Sequence, residues 1–575
     1  MIRPVLAAIG AALLAILPAA PALADTLVDN IQGVTINKDG KLVSFTGMLI
    51  DDDGRVSAIY QRTSQHPKKP QYRVDGKGQF IIPGMVDAHV HVMGIAMGLI
   101  TLDLSDTQSL ADAMTRTAAW SQKNPSGRWI VGRGWNQEKW NLGRFPAAAE
   151  LDAATGNVPA WLERVDGHAG WANSAAMKAA GITAATKDPP GGRILRENGQ
   201  PTGIFIDSAM DLIKPFIPIP RPEDRDFAFQ KAQELLLSNG ITAVADMGTS
   251  IQDWQTYRRA GDRNWLQIRI MAYADGTDAM ELIGGPGPTP WLYGDRLRLN
   301  GVKLYLDGAL GSRGAWLKQQ YADDPGNTGL ALASPSQLRN RMSRAALDKF
   351  QIAIHAIGDE ANDEALSAIE EMTDTYKGDR RWRIEHAQIV DPASIARFGQ
   401  NGIIVSMQPV HATSDRIMAE KRLGPDRLGG AYAWRSIAAS GAHLAFGSDA
   451  PVEAPRPFTG IAVAMTREDA QGQPVGGWQP QERVSREQAI ASYTSEAAYA
   501  GFADGIFGRL IEGERADFLI IDRDPLLASP AQLRETRVLE TWINGRRVWK
   551  GPPVSSANSS ANSSADSSES EAPGR

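Results

Sequence analysis

From Thr26 to about Ile82 the chain alternates Val, Ile and Leu with polar residues, broken by Asp39-Gly40 and Asp53-Gly54. A period of two punctuated by tight-turn dipeptides predicts short antiparallel strands. So small a set of strands cannot easily bury its own faces and needs a partner. Matching runs lie near the other end, at 515–522 and 538–549, with a turn at Asn544-Gly545. Together the two ends predict one small β-sandwich domain, residues 25–82 and 505–551, flanking a central domain.

In the centre, residues 83–504, strand-like runs alternate with helix-like ones, the pattern of βα units on a parallel sheet. Eight strands can be written down, at 82–89, 241–247, 267–274, 300–306, 351–357, 382–388, 402–407 and 443–448. The expected fold class is therefore α/β, a (β/α)8 TIM-like barrel, with its chemistry at the C-terminal ends of the strands. About 150 residues separate the first two strands, far more than an ordinary crossover needs. A large insertion is placed there, at about 95–222. It holds six of the fifteen tryptophans: Trp120, Trp129, Trp135, Trp140, Trp161 and Trp171. Most should form the core of a subdomain, and one or two could line a pocket over the barrel mouth.

The extreme ends break both patterns. Residues 1–24 carry one charge, Arg3, then an apolar run and Ala22-Leu23-Ala24, which reads as a signal peptide cleaved before Asp25. Gly10, Pro18 and Pro21 argue against an uninterrupted membrane anchor. Residues 552–575 repeat Ser-Ser-Ala-Asn and close variants and read as a disordered tail.

Hydrophobic content of 43% and charged content of 22% are those of a globular protein. A net charge of −6 without basic patches gives no sign of nucleic-acid binding. The absence of cysteine excludes disulfides and a lipid-modified cysteine, and export without disulfides suits a periplasmic or secreted protein. Nothing after Asp25 is long and apolar enough to insert in a bilayer. The sequence leaves a homo-oligomer open.

With only eight histidines, each can be weighed. His89 and His91 close the first strand as His-x-His, and residues i and i+2 of a strand face one side, as two ligands of one metal must. Two histidines on a solvated strand face would look the same. But His355 ends the fifth strand, His386 the sixth, and Asp449 the eighth. In a barrel all five converge on one mouth. Lys303 lies among Val and Leu in the fourth strand, where a bare charge would be costly. It could reach solvent or pair with Asp307, or its neutral amine could add carbon dioxide to give a carbamate.

These segments resemble the amidohydrolase superfamily. Gly84-Met-Val-Asp-Ala-His-Val-His91 is similar to its opening motif. Lys303 in Val-Lys-Leu-Tyr-Leu-Asp-Gly, His355-Ala-Ile-Gly-Asp, Arg383-Ile-Glu-His386, Ser406-Met-Gln-Pro and Gly447-Ser-Asp-Ala-Pro-Val-Glu453 resemble the branch containing N-substituted formamide deformylase. The resemblance implies two divalent metals, with zinc suited to the ligands. His89, His91 and Asp449 would hold one, His355 and His386 the other, and carbamylated Lys303 would bridge them. It implies hydrolysis of a non-peptide C–N bond in a small molecule by a metal-activated hydroxide, with Asp449 as the catalytic proton carrier. His168, in Asp166-Gly-His-Ala-Gly-Trp, resembles a recurring motif of the family and is a substrate-contact candidate. Arg313 and His411, in loops after the fourth and seventh strands, are weaker candidates. The tryptophans and the scarcity of basic clusters favour an uncharged or aromatic substrate. Esters, lactones or phosphotriesters could be cleaved by the same centre. A secreted binding protein without chemistry is the remaining alternative, and the full ligand set argues against it.

Overall fold

The structure is a computed structural model that describes residues 25–68, 70–124 and 129–552. The signal peptide expected over 1–24 and the tail from 553 onward lie outside the described residues. Among the described residues no helix is long and apolar enough to cross a membrane.

Eight parallel strands pair in sequence order, Met85–Val90, Ile241–Thr249, Arg269–Asp275, Leu297–Tyr305, Gln351–Ala356, Arg383–His386, Ile404–Met407 and His443–Phe446. The ring closes where Val90 bridges Ala450, with Asp449 N donating to His89 O (2.7 Å) and His91 N to Ala450 O (2.8 Å). All eight strands fall within or beside the runs read from the sequence. A strand buried on both faces must be apolar along its length, a local and legible signal. Small side chains fill much of the barrel interior, among them Ala88, Ala243, Ala245, Ala353 and Ala445. They leave room for buried polar groups beneath the mouth.

Strands from both chain ends share one eight-stranded sheet. Phe518–Ile521 pairs with Phe80–Pro83, and Val538–Ile543 and Arg546–Lys550 extend that edge. The long strand Thr26–Ile36 shifts register between Asp29 and Gly33, pairing with Tyr72–Asp75 before the shift and Phe80–Pro83 after it. A bulge of this kind bends a sheet, here around Val28, Phe45, Met48, Ile81 and Phe518.

The insertion after the first barrel strand builds a second sheet of six strands, from Leu102–Asp103 to Gln200–Asp207. Trp135, Trp140, Trp161 and Trp171 are buried in its cores, and Trp120 and Trp129 pack against them. None of the six lines the cavity at the barrel mouth. The expectation that some would is corrected. This sheet has helices on it but few residues to spare, and it uses the largest side chains to exclude water.

Candidate metal centre

A cavity of about 480 Å³ opens at the C-terminal end of the barrel strands. His91, Lys303, His355, His386 and Asp449 line it, with His168 and His411. Nitrogen and oxygen atoms of His89, His386 and Asp449 lie within 4.8 Å of one another. His91 adjoins this group, its Nε2 3.1 Å from Asp449 Oδ1. His355 flanks it on the other side, with ring centres of His355 and His386 4.6 Å apart. Lys303 Nζ lies 3.3 Å from His89 Nε2.

The imidazoles are aimed by acceptors behind them. His89 Nδ1 donates to Glu385 Oε2 at 2.7 Å, and both side chains are wholly buried. Glu385 is fixed in turn by Arg383, whose Nη2 also donates to Ala88 O. His386 Nδ1 donates to Gln408 Oε1 at 2.9 Å. Each ring is thereby left with its Nε2 lone pair for the cavity, the tautomer a metal ligand needs.

Backbone geometry allows neighbours to serve different ends. Adjacent strand residues ordinarily face opposite ways. His386 and Ala387 take left-handed conformations, φ 75° and 41°, as does Asp449 at φ 55°. Glu385 can therefore reach beneath His89 while His386 turns to the mouth. Such strain persists only where surrounding packing enforces it, most often at functional sites.

The electrostatics fit cation binding. Burial, first, and mutual repulsion hold the His89, His355 and His386 imidazoles well below their ordinary range, hence neutral. Burial lowers the Lys303 ammonium to about 8, so about a tenth of it is neutral near pH 7. Burial opposes ionisation of Asp449, but His91, His89 and His411 outweigh it and hold the carboxyl well below its usual range. Among the described residues, His355 Nε2 and His411 Nε2 are buried without hydrogen-bond partners, and Asp449 Oδ1 faces only His91 Nε2 at 3.1 Å. Native proteins rarely leave such atoms unpaired, and a bound cation would supply the partner that His355 Nε2 lacks.

Lys303 does not pair with Asp307. That carboxylate accepts from the backbone N–H groups of Trp316, Ile357 and Gly358 and sits 3.6 Å from His355 Nε2. His168 reaches the cavity from the insertion, its Nδ1 2.6 Å from Asp207 Oδ1. Asp207 has φ 47°, and a Cβ at Gly308 would collide with its carboxylate. The loop after the fourth strand thus carries glycine where the insertion's dyad enters. Arg313 is not among the lining residues. Its left-handed backbone, φ 58°, turns the guanidinium outward to Asp323, Nη2 to Oδ2 at 2.9 Å.

Sequence reasoning gave no role to Glu385, Gln408 or Asp207, although Glu385 and Gln408 stood inside quoted motifs. It also misjudged the lining. Glu163, Asp166, Asp207, Asp275, Asp415 and Glu453 face the cavity, and Tyr305 is the one aromatic ring there besides histidine. These carboxylates share the lining with Met210, Leu310, Ile357 and Val452, and no tryptophan is among them.

The family described as "Amidohydrolase family" matches residues 73–549. Protein LONG AFTER FAR-RED 3 of Arabidopsis thaliana is 34% identical, across 92% of this chain and 93% of that protein. N-substituted formamide deformylase of Arthrobacter pascens is 28% identical, across 82% and 89%. Among solved structures, one described as an uncharacterized metal-dependent hydrolase from Pyrococcus horikoshii superposes with a TM-score of 0.71 at 27% identity. It covers 88% of this chain and 99% of that one.

Proposed function

The chain belongs to the amidohydrolase family, and from that premise we propose that it hydrolyses a non-peptide C–N bond of a small amide at the barrel mouth. One observation carries the reading. Side chains from the first, fifth, sixth and eighth strand ends turn donor atoms to one buried region, with the far nitrogens of His89 and His386 tied to acceptors.

His89, His91, His355, His386 and Asp449 would hold divalent cations, for which zinc suits the nitrogen and carboxylate donors. When bound, such cations acidify water towards neutrality and polarise a carbonyl. The Lys303 amine, depressed by burial, would add carbon dioxide: a nitrogen–carbon bond forms and a proton leaves to solvent. The resulting carbamate would offer two oxygens as metal donors; counted from the ammonium, two protons leave to solvent in all, and a buried positive charge becomes a negative one. Asp449, kept ionised, accepts a proton from the attacking water and returns it to the departing nitrogen. His168, steadied by Asp207, contacts the substrate from the insertion side.

The test is a panel of formamides, N-acylated amino acids, lactones and paraoxon-like esters, run with elemental analysis. Two metals per chain, amide turnover and loss of turnover on chelation are expected. Ester or lactone turnover without amide turnover would sink the proposal. Export belongs to the same reading, and sequencing of periplasmic protein should begin at Asp25; an intact Met1 would overturn it.

A further inference from the structure

The histidines at the mouth do not all carry the same tautomer. Behind His89 stands Glu385 Oε2 and behind His386 stands Gln408 Oε1, both acceptors, so each Nδ1 holds the proton and each Nε2 a lone pair. Behind His411 stands a donor instead. Gln388 Nε2 lies 3.1 Å from His411 Nδ1, which must accept. The Tyr432 hydroxyl gives its one proton to Asp415 Oδ2 at 2.8 Å. Tyr432 N also donates to Gln388 O at 2.6 Å. In the neutral ring the proton of His411 therefore sits on Nε2.

That Nε2 is buried, 4% of the residue being exposed, and it has no hydrogen-bond partner. It borders the cavity and lies 3.8 Å from Asp449 Oδ2, within the site but beyond hydrogen-bonding distance. A nitrogen bearing hydrogen cannot ligate a cation. An unpaired N–H held in a water-poor cleft suits an oxygen that gains negative charge during reaction.

Resting on the amide-hydrolysis reading above, we infer that His411 is a further catalytic residue, which donates its Nε2–H to the carbonyl oxygen of the scissile bond. Gln388 is the positioning residue that sets its tautomer. As water adds to the carbonyl carbon, the C=O π electrons move to that oxygen, and the hydrogen bond strengthens with its charge. No proton need leave the imidazole. Substrates must then present an acceptor oxygen on the attacked centre, and replacing it with sulfur, a poorer acceptor, should slow the reaction.

Two measurements test this. With eight histidines in the chain, long-range 15N–1H correlation of histidine-labelled, metal-loaded protein resolves tautomers, and the signal lost in His411→Leu identifies the residue. An Nε2–H form is expected for His411, becoming a mixture in Gln388→Met. A lone pair on Nε2 would overturn the inference whatever the substrate proves to be. In turnover of whichever acyl compound the wild type cleaves, His411→Leu should lose about a hundredfold in kcat. KM should move little and metal content should stay unchanged, while His411→Gln, which keeps an N–H donor, recovers part of the rate. An unchanged kcat in His411→Leu would overturn the catalytic role while leaving the amidohydrolase reading intact. A wild type that cleaves no amide would remove that reading, and the tautomer would still decide whether His411 is a donor.

Discussion

At the floor of the barrel Arg269 and Asp517 are both buried and each satisfies the other. Arg269 Nε donates to Asp517 Oδ2 at 2.6 Å and Nη2 to Oδ1 at 2.8 Å, while Nη1 reaches Asp295 O. At the mouth His355 and His411 are also buried, yet each keeps a nitrogen without a hydrogen-bond partner among the described residues. The floor also joins two modules, since Arg269 begins the third barrel strand and Asp517 precedes the C-terminal strand Phe518–Ile521. Pairing there serves stability. Unpaired groups at the mouth cost stability and are kept because something else must bind them. The same chemistry of burial thus separates a joint from a site.

The comparison can be broken hardest at the mouth. Asp449→Asn removes the proposed proton carrier and a candidate metal donor, and should lower kcat by about 10²–10⁴-fold with an unchanged circular dichroism spectrum. Loss of fold instead would make Asp449 a structural residue like Asp517. At the floor, Arg269→Ala leaves the Asp517 carboxylate buried without a countercharge, held only by the Asn544 N–H, and should cost about 3–5 kcal/mol of stability. Chemical denaturation measures it, and turnover per folded molecule should stay near normal. Equal damage to turnover would show that the floor and the mouth are not independent.

Lys303→Met sharpens the distinction further. It keeps the apolar stem and deletes only the amine, so the fold should survive while a metal and most turnover are lost. A short-chain carboxylic acid should partly restore Lys303→Ala. Two metals per chain and ordinary turnover in Lys303→Met would rule out the carbamate. Glu385→Gln tests the support behind His89, and metal affinity should fall about 10–100-fold in competition with a chelator. The smallest effect belongs to Arg313→Ala. Its partly exposed pair with Asp323 lies outside the cavity, and such pairs contribute about 0.2–1 kcal/mol, so kcat/KM should not move.

The sequence by itself determined the eight strands and the residues that close them. A strand buried on both faces needs an unbroken apolar run, and a ligand at its end is one residue in a known place. His89, His91, Lys303, His355, His386 and Asp449 could therefore be named as candidates without coordinates. The pairing of the two chain ends was legible for the same reason, since strands that cannot bury their own faces must find others. Only the tertiary structure decided what stands behind each ligand and what surrounds it. Glu385 serves His89 across 296 residues, and it can do so because a positive φ at His386 breaks the alternation that a linear reading assumes. Arg313 was misplaced by the same kind of backbone turn. The tryptophans were read mainly as a subdomain core, which they form, and only packing decided that none of the six was left to line the pocket. The tautomer of His411 depends on whether an amide oxygen or nitrogen faces it. That is a property of contact between distant segments, and no local pattern encodes it.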